Sequence, residues 1–156
     1  MKPLLKKTLL LSLVGAAAAL LANTFLPHRI PWVQDWSHHI EAKAARQKIG
    51  IIPLGAALAL HQTESHRFVD ARPAEEYAKG HIPGALSLPF QTLDDHFETA
   101  ESLLDSETPL VVYCGNRDCD DALLLAIELQ NMGATHLTLY IDGFELWKKH
   151  GGAVEK

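Results

Sequence analysis

The sequence predicts an α/β fold: a central, mostly parallel sheet flanked by helices on both faces and preceded by an N-terminal transmembrane helix. Three observations predict it. From about residue 50 onward, short apolar runs of strand length alternate with segments of helical character. The run Pro109-Leu110-Val111-Val112-Tyr113 is apolar, partly β-branched and short, which makes it the strongest strand signal in the chain. Ahead of all of these, Thr8 to Leu26 contains no ionisable side chain and is mostly Leu and Ala, about the length a helix needs to cross a bilayer core.

Taken in order, Lys2, Lys6 and Lys7 precede the apolar stretch. Basic residues stay on the cytoplasmic side, so the rest of the chain is expected across the membrane, in the periplasm if the host is a bacterium. A cleaved signal peptide would need small residues three and one before the cut; the best offer is Leu20 and Ala22 before Asn23, and Leu20 fits poorly. Residues 1–26 are therefore read as an uncleaved anchor, with export after cleavage as the alternative. Residues 27–49 read as a polar juxtamembrane connector, helical through about 41–47, with Pro27 and Pro31 discouraging continuation of the anchor. Trp32 and Trp36 then fall near the far interface, where indole rings settle.

The compact domain is expected over residues 50–156. Ile51-Ile52 is a first strand, followed by a helix over 54–62. Arg67 to Asp70 is a buried strand, and Pro73 to Tyr77 opens a short helix, with Pro in the first turn and carboxylates beside the positive helix end. Ala85 to Leu88 is a strand after a Pro83-Gly84 turn, and 92–104 is helical. After the 109–113 strand comes a polar loop, then a helix over 121–132 with Ala122, Leu125, Ala126 and Leu129 on one face and Gly133 as its stop. Leu137 to Ile141 is the last strand and Gly143 to His150 the last helix.

Charge excludes one class of partner. Four of the 14 Lys and Arg lie in the first 30 residues, which hold none of the 19 Asp and Glu, so the body of the protein is acidic. An acidic body without clustered basic and aromatic residues repels a phosphate backbone, so no nucleic acid is expected. Two cysteines are too few for a disulfide framework and too sparsely patterned for structural zinc. His38-His39 reads as solvated helix surface, and neither a metal nor a cofactor is expected. The sequence is silent on oligomeric state.

In a parallel sheet ligands gather at the carboxyl ends of the strands, where Cys114 sits. If the next helix starts near Asp120, the backbone N–H groups of Gly115 to Cys119 can curl around the sulfur, and the positive helix end favours its thiolate. Gly115 permits unusual backbone angles, Asn116 tolerates them, and Arg117 adds a positive charge. The alternative is an inert Cys packed as a small hydrophobe at a strand end.

The stretch from Val69 to Ala85 (VDARPAEEYAKGHIPGA) resembles the N-terminal signature of the rhodanese family nearly position for position. Val111-Val112-Tyr113-Cys114 is similar to the strand entering that family's catalytic loop, and Asp142-Gly143-Phe144-Glu145-Leu146-Trp147 to its closing segment. The three motifs follow the family's order and spacing over about residues 50–155. The resemblance implies a rhodanese-like fold and a sulfurtransferase in which Cys114 takes a sulfane sulfur as a persulfide and passes it to a thiol acceptor. Thiosulfate or a persulfide is the implied donor. It further implies that Asp70 and Arg72 sit near the base of the 114–119 loop, where an ion pair would support it. His81, Glu76, Tyr77 and Trp147 read as architectural.

Within the loop the sequence departs from the family's commoner pattern and resembles its single-domain, membrane-anchored form with a second cysteine in the active-site loop. Many members carry Gly three residues and Arg five residues after the nucleophile, where this chain has Arg117 and Cys119. Asp118, Asp120 and Asp121 surround the loop with negative charge and disfavour a dianionic donor unless they point away. Cys119 leaves two readings open: it closes a disulfide with Cys114 or resolves its persulfide, or it is only a small neighbour of the helix cap. The competing function is a non-catalytic or redox-sensing module built on the same cysteine pair. A cysteine phosphatase is excluded because Asp120 stands where that chemistry wants an Arg to clamp phosphate.

Overall fold

The computed structural model describes residues 2–25, 39–104 and 108–156, and the chain forms two compact units, Met1–Trp36 and Ser37–Lys156. In the first unit, α1 (Lys2–Phe25) is a continuous helix. Its segment Leu5–Phe25, 21 residues, is long and apolar enough to cross a membrane, about 30 Å at the helical rise. Leu5, Leu9 and Leu13 are among the exposed leucines of this helix. Trp32, Trp36, His38 and the two prolines of the connector lie outside the described residues.

The second unit is built on a five-stranded sheet: β1 (Gly50–Ile52), β2 (Arg67–Asp70), β3 (Leu86–Ser87), β4 (Leu110–Tyr113) and β5 (Leu137–Tyr140). The order is β1-β5-β4-β2-β3, and every pairing of these strands is parallel. Parallel neighbours need crossover connections, and helices supply them: α3 (Leu54–Gln62), α4 (Ala74–Lys79), α5 (Phe97–Leu104) and α6 (Asp121–Asn131), while α7 (Gly143–Lys149) follows the last strand. Residues 90–96 form a 3-10 stretch, kinked at Thr92, ahead of α5, so the expected 92–104 helix is two pieces.

The period of two along β4 assigns its side chains to two cores. Leu110, Val112 and Cys114 join one with Leu103 of α5 and Leu123, Leu125 and Leu129 of α6. Val111 and Tyr113 join the other with Ala57 of α3 and Phe144 and Trp147 of α7. All four residues of β4 are buried, as a strand covered on both faces must be. Each fully buried Val or Leu contributes about 1.5–3 kcal/mol.

The expected connector also contributes to this unit. Its helix, α2 (His39–Arg46), buries Ile40 and Ala44 in the same core as Ile49. A spacing of four puts Ile40 and Ala44 on one helical face, and that face draws residues before 50 into the folded body. At the other end of the chain, Glu155 pairs antiparallel with His81, each amide donating to the other's carbonyl at 2.9 and 3.0 Å. His81 also stacks on Tyr77 at 3.7 Å between ring centroids, and Tyr77 Oη donates to Ala85 O at 2.7 Å. These contacts fasten the turn between α4 and β3.

Candidate functional site

Residues 114–120 connect the carboxyl end of the central strand β4 to the start of α6. Cys114 is 3% exposed and packs in the core on the α6 side. Cys119 is half-buried against the same core, and the two cysteines are joined in a disulfide with their Cα atoms 6.1 Å apart, inside the ordinary range for such bridges. The five-residue separation therefore closes a bridge, which the sequence left open. No hydrogen bond from the loop amides to either sulfur occurs among the described residues, and a disulfide sulfur carries no anionic charge to draw them in. The amide cradle inferred for a thiolate is not a feature of this oxidised state.

Several contacts shape the loop independently of the bridge. Asn116 Oδ1 accepts from Asp118 N at 3.0 Å, and Asn116 O from Cys119 N at 3.3 Å. From the far side, the first turn of α7 donates into the loop: Phe144 N to Cys114 O and Glu145 N to Gly115 O, each at 2.8 Å. Gly143 makes that approach possible. Its φ is +72°, and a Cβ there would lie 2.7 Å from Asn116 N and from the carbonyl carbon and oxygen of Gly115. Sequence reasoning gave Gly143 no role in the site; its only signal was membership of the Asp142–Trp147 motif.

Asp70 ends β2 and Arg72 lies just beyond it, next to the loop base; they are 0% and 5% exposed. The Asp70 carboxylate accepts from Arg72 N at 3.0 Å, from Nε at 2.9 Å and from Nη2 at 2.5 Å. Arg72 Nη2 also donates to Gly80 O at 2.9 Å, and the guanidinium lies 4.2 Å from the centre of the Phe144 ring. Burial opposes the charged guanidinium, but the hydrogen bonds and charge of Asp70 outweigh it and hold the Arg72 pKa above its ordinary value. A Cβ at Gly115 would sit 3.7 Å from Arg72 Cδ, so the pair and the loop are in contact. Between them, Tyr113 Oη accepts from Ile82 N at 3.2 Å. Burial first, then the charge of Asp70, raises the Tyr113 phenol well above its ordinary pKa.

The charged residues of the loop mostly have partners. Arg117 pairs with Glu41 of α2 and donates to Asp142 Oδ1 at 3.1 Å. Asp142 Oδ2 in turn accepts from Leu54 N at the start of α3 at 3.0 Å. Asp120 accepts from His39 Nε2 at 2.7 Å and lies 3.6 Å from Lys43 Nζ. Asp121 accepts from Gln91 at 3.3 Å. A groove of about 650 Å³ opens along the outer turn of the loop, between Asn116, Arg117 and Asp118 on one side and Glu145, Lys148 and Lys149 on the other. Cys114, Cys119 and Asp121 bring potential ligand atoms within 4.8 Å of one another; while the bridge holds, neither sulfur is a thiolate able to bind a cation.

A cysteine at the end of a central parallel strand, in a loop held by a buried Asp–Arg pair and the first turn of the last helix, defines a class that the family comparison identifies. Residues 55–150 match the rhodanese-like domain family, and the chain belongs to it. Its relatives include the thiosulfate sulfurtransferase GlpE of Pseudomonas putida, 35% identical over 97 residues, which are 62% of this chain and 83% of that protein. They also include the HTH-type transcriptional regulator Rv0324 of Mycobacterium tuberculosis, 45% identical over 91 residues but matched over only 37% of its length. Among solved structures, the BH2092 protein from Bacillus halodurans superposes with a TM-score of 0.61 at 25% identity, covering 76% of this chain and 85% of that one. A thiosulfate sulfurtransferase from Pseudomonas aeruginosa shares the fold, with a TM-score of 0.60 at 24% identity over 76% of this chain and 22% of its own.

Proposed function

We propose that the protein is a membrane-anchored sulfurtransferase that carries sulfane sulfur as a persulfide on Cys114 and passes it to a thiol acceptor. The observation that carries the reading is the position of Cys114 at the carboxyl end of β4, in the loop between the matched family's motifs. The relationship to a thiosulfate sulfurtransferase at 35% identity supports the reaction class. With the bridge reduced, the Cys114 thiolate attacks the outer sulfur of a donor, thiosulfate or a persulfide, and the remainder of the donor leaves. The thiolate is favoured by the positive end of the 11-residue helix α6. Asp70 and Arg72 act as positioning residues by fixing the base of the loop.

The anchor reading rests on the length and apolar character of α1. The three lysines at its start support a periplasmic orientation for the catalytic unit, a compartment where a cysteine pair is readily oxidised.

The test is mass spectrometry of the reduced full-length protein in detergent micelles after exposure to thiosulfate. The expected result is one added sulfur on the peptide containing Cys114, absent in Cys114→Ser. An unmodified Cys114 that is alkylated readily in a parallel sample refutes the reading. Orientation is tested separately by proteolysis of intact spheroplasts, which is expected to remove the domain from the outside.

A further inference from the structure

We propose that Cys119 is a second catalytic residue, which expels the sulfane sulfur from Cys114 as hydrosulfide and leaves the Cys114–Cys119 disulfide behind, so that the enzyme turns over on an external dithiol. This deepens the sulfurtransferase reading and rests on it.

The argument begins with geometry. The loop as folded brings both sulfurs into bonding contact, with Cα atoms 6.1 Å apart. It is held there by contacts that do not involve sulfur: Asn116 inside the loop, the amides of Phe144 and Glu145 from α7, Arg117 on Glu41 and Asp142, and Asp120 on His39 and Lys43. Reduction removes none of these, so the Cys119 thiol stays beside Cys114 through every turnover. An external thiol faces the opposite situation, because it must reach a sulfur on a residue that is 3% exposed. A neighbouring nucleophile held in place has effective molarities of about 10⁵ M and above, beyond any solution thiol.

The chemistry balances without a further reagent in the first step. The Cys119 thiolate attacks Sγ of Cys114 in the protonated persulfide. The Cys119–Cys114 bond forms, the bond from Cys114 to the sulfane sulfur breaks, and its electron pair leaves with HS⁻. The sulfane sulfur gains two electrons and becomes sulfide, and the two cysteines lose two and become a disulfide. The proton from Cys119 goes to solvent. A small dithiol or a dithiol oxidoreductase then exchanges with the bridge, is itself oxidised to a disulfide, and restores both thiols. On this scheme the bridged loop is the product state of each cycle. The Arg that many family members carry at this place has no sulfur with which to do this, so Cys119 opens release as sulfide as a second fate of the persulfide beside transfer to a thiol acceptor.

The experiment uses the reduced full-length protein in micelles, freed of reductant under anaerobic conditions and given one equivalent of thiosulfate with no acceptor. The wild type is expected to release one sulfite and one sulfide per chain and to end with Cys114 and Cys119 bridged in a non-reducing digest. Cys119→Ser is expected to accumulate persulfide on Cys114 and to release sulfide on the order of 100-fold more slowly. Cys119→Ala serves where the serine variant fails to fold, and the wild-type stoichiometry decides the matter alone if both do. Wild-type protein that keeps its persulfide after releasing sulfite overturns this step and leaves the sulfurtransferase reading standing. The extra sulfur found on Cys119 makes the pair a relay and also overturns it. No sulfite and no persulfide from the wild type sink both readings.

Discussion

Replacing Gly143 by alanine separates the energy of an unusual backbone from the energy of holding the loop. Gly143 has φ +72°, and Gly84 has φ +71° with open space where a Cβ would go. Both substitutions place an L side chain in the left-handed region, at about 1–2 kcal/mol. Only at Gly143 does the new carbon meet the loop backbone, 2.7 Å from Asn116 N and from the Gly115 carbonyl. Relieving that overlap pushes α7 away from the loop and lengthens the bonds from Phe144 N to Cys114 O and from Glu145 N to Gly115 O. Overpacking of this kind adds roughly 1–3 kcal/mol. Gly143→Ala is therefore expected to lose roughly 2–5 kcal/mol and Gly84→Ala about 1–2 kcal/mol. Urea unfolding followed by fluorescence of the buried Trp147 reads the difference. Sulfur loading of Cys114 should slow at least tenfold in Gly143→Ala, since a displacement near 1 Å at a reacting group costs on the order of 100-fold. Gly84→Ala should load at the wild-type rate. Equal losses of stability in the two variants, or normal loading in Gly143→Ala, would refute the claim that this glycine sets the loop.

Arg72→Ala leaves the Asp70 carboxylate, 0% exposed, without its countercharge; the expected loss is about 3–5 kcal/mol by urea unfolding, and a loss under 1 kcal/mol would show that the pair supports nothing. Alkaline pH should destabilise the domain through Tyr113 and Tyr140, whose phenols are raised by burial and then by Asp70 and Asp142 respectively. The folded state keeps each proton to higher pH than the unfolded chain does, so stability is intact below the unfolded pKa near 10 and falls above it by about 1.4 kcal/mol per pH unit for each tyrosine. Tyr113→Phe should remove about half of that slope in unfolding curves collected at stepped pH. Arg117→Ala should lower stability by at most about 1 kcal/mol, because its side chain is 46% exposed; the difference from wild type should shrink in high salt.

Much of this fold was legible because its strands announce themselves by composition. The expected strand over 67–70 and helix over 54–62 coincide with β2 and α3, and the expected helix over 121–132 ends one residue earlier as α6. Two elements were read less well for physical reasons. In α2 the apolar face is only Ile40 and Ala44, set among Glu41, Lys43 and Arg46, so its polarity spoke for a connector although the two residues are enough to dock it. Around residue 92 helical propensity was visible, but the kink at Thr92 comes from the local backbone, for which no sequence pattern is specific.

The site was legible in its parts and not in its charge. Three aspartates around one cysteine suggested a pocket hostile to a dianion, because the sequence shows the acids and not what neutralises them. Two of Asp120's partners, His39 and Lys43, lie 81 and 77 residues upstream in α2, the first a hydrogen-bond partner and the second a countercharge. Arg117 takes Asp142, and Gln91 takes Asp121. What faces the groove is Asp118 and Glu145 against Lys148 and Lys149, a balance near neutrality and not an acidic wall. The helix read as a linker is therefore what removes one carboxylate from the field at the loop, and the electrostatics of Cys114 depend on a segment that precedes the first strand of the sheet. A charge pattern counted along the chain could not have revealed that, since the compensation is made by tertiary contacts between residues far apart in sequence.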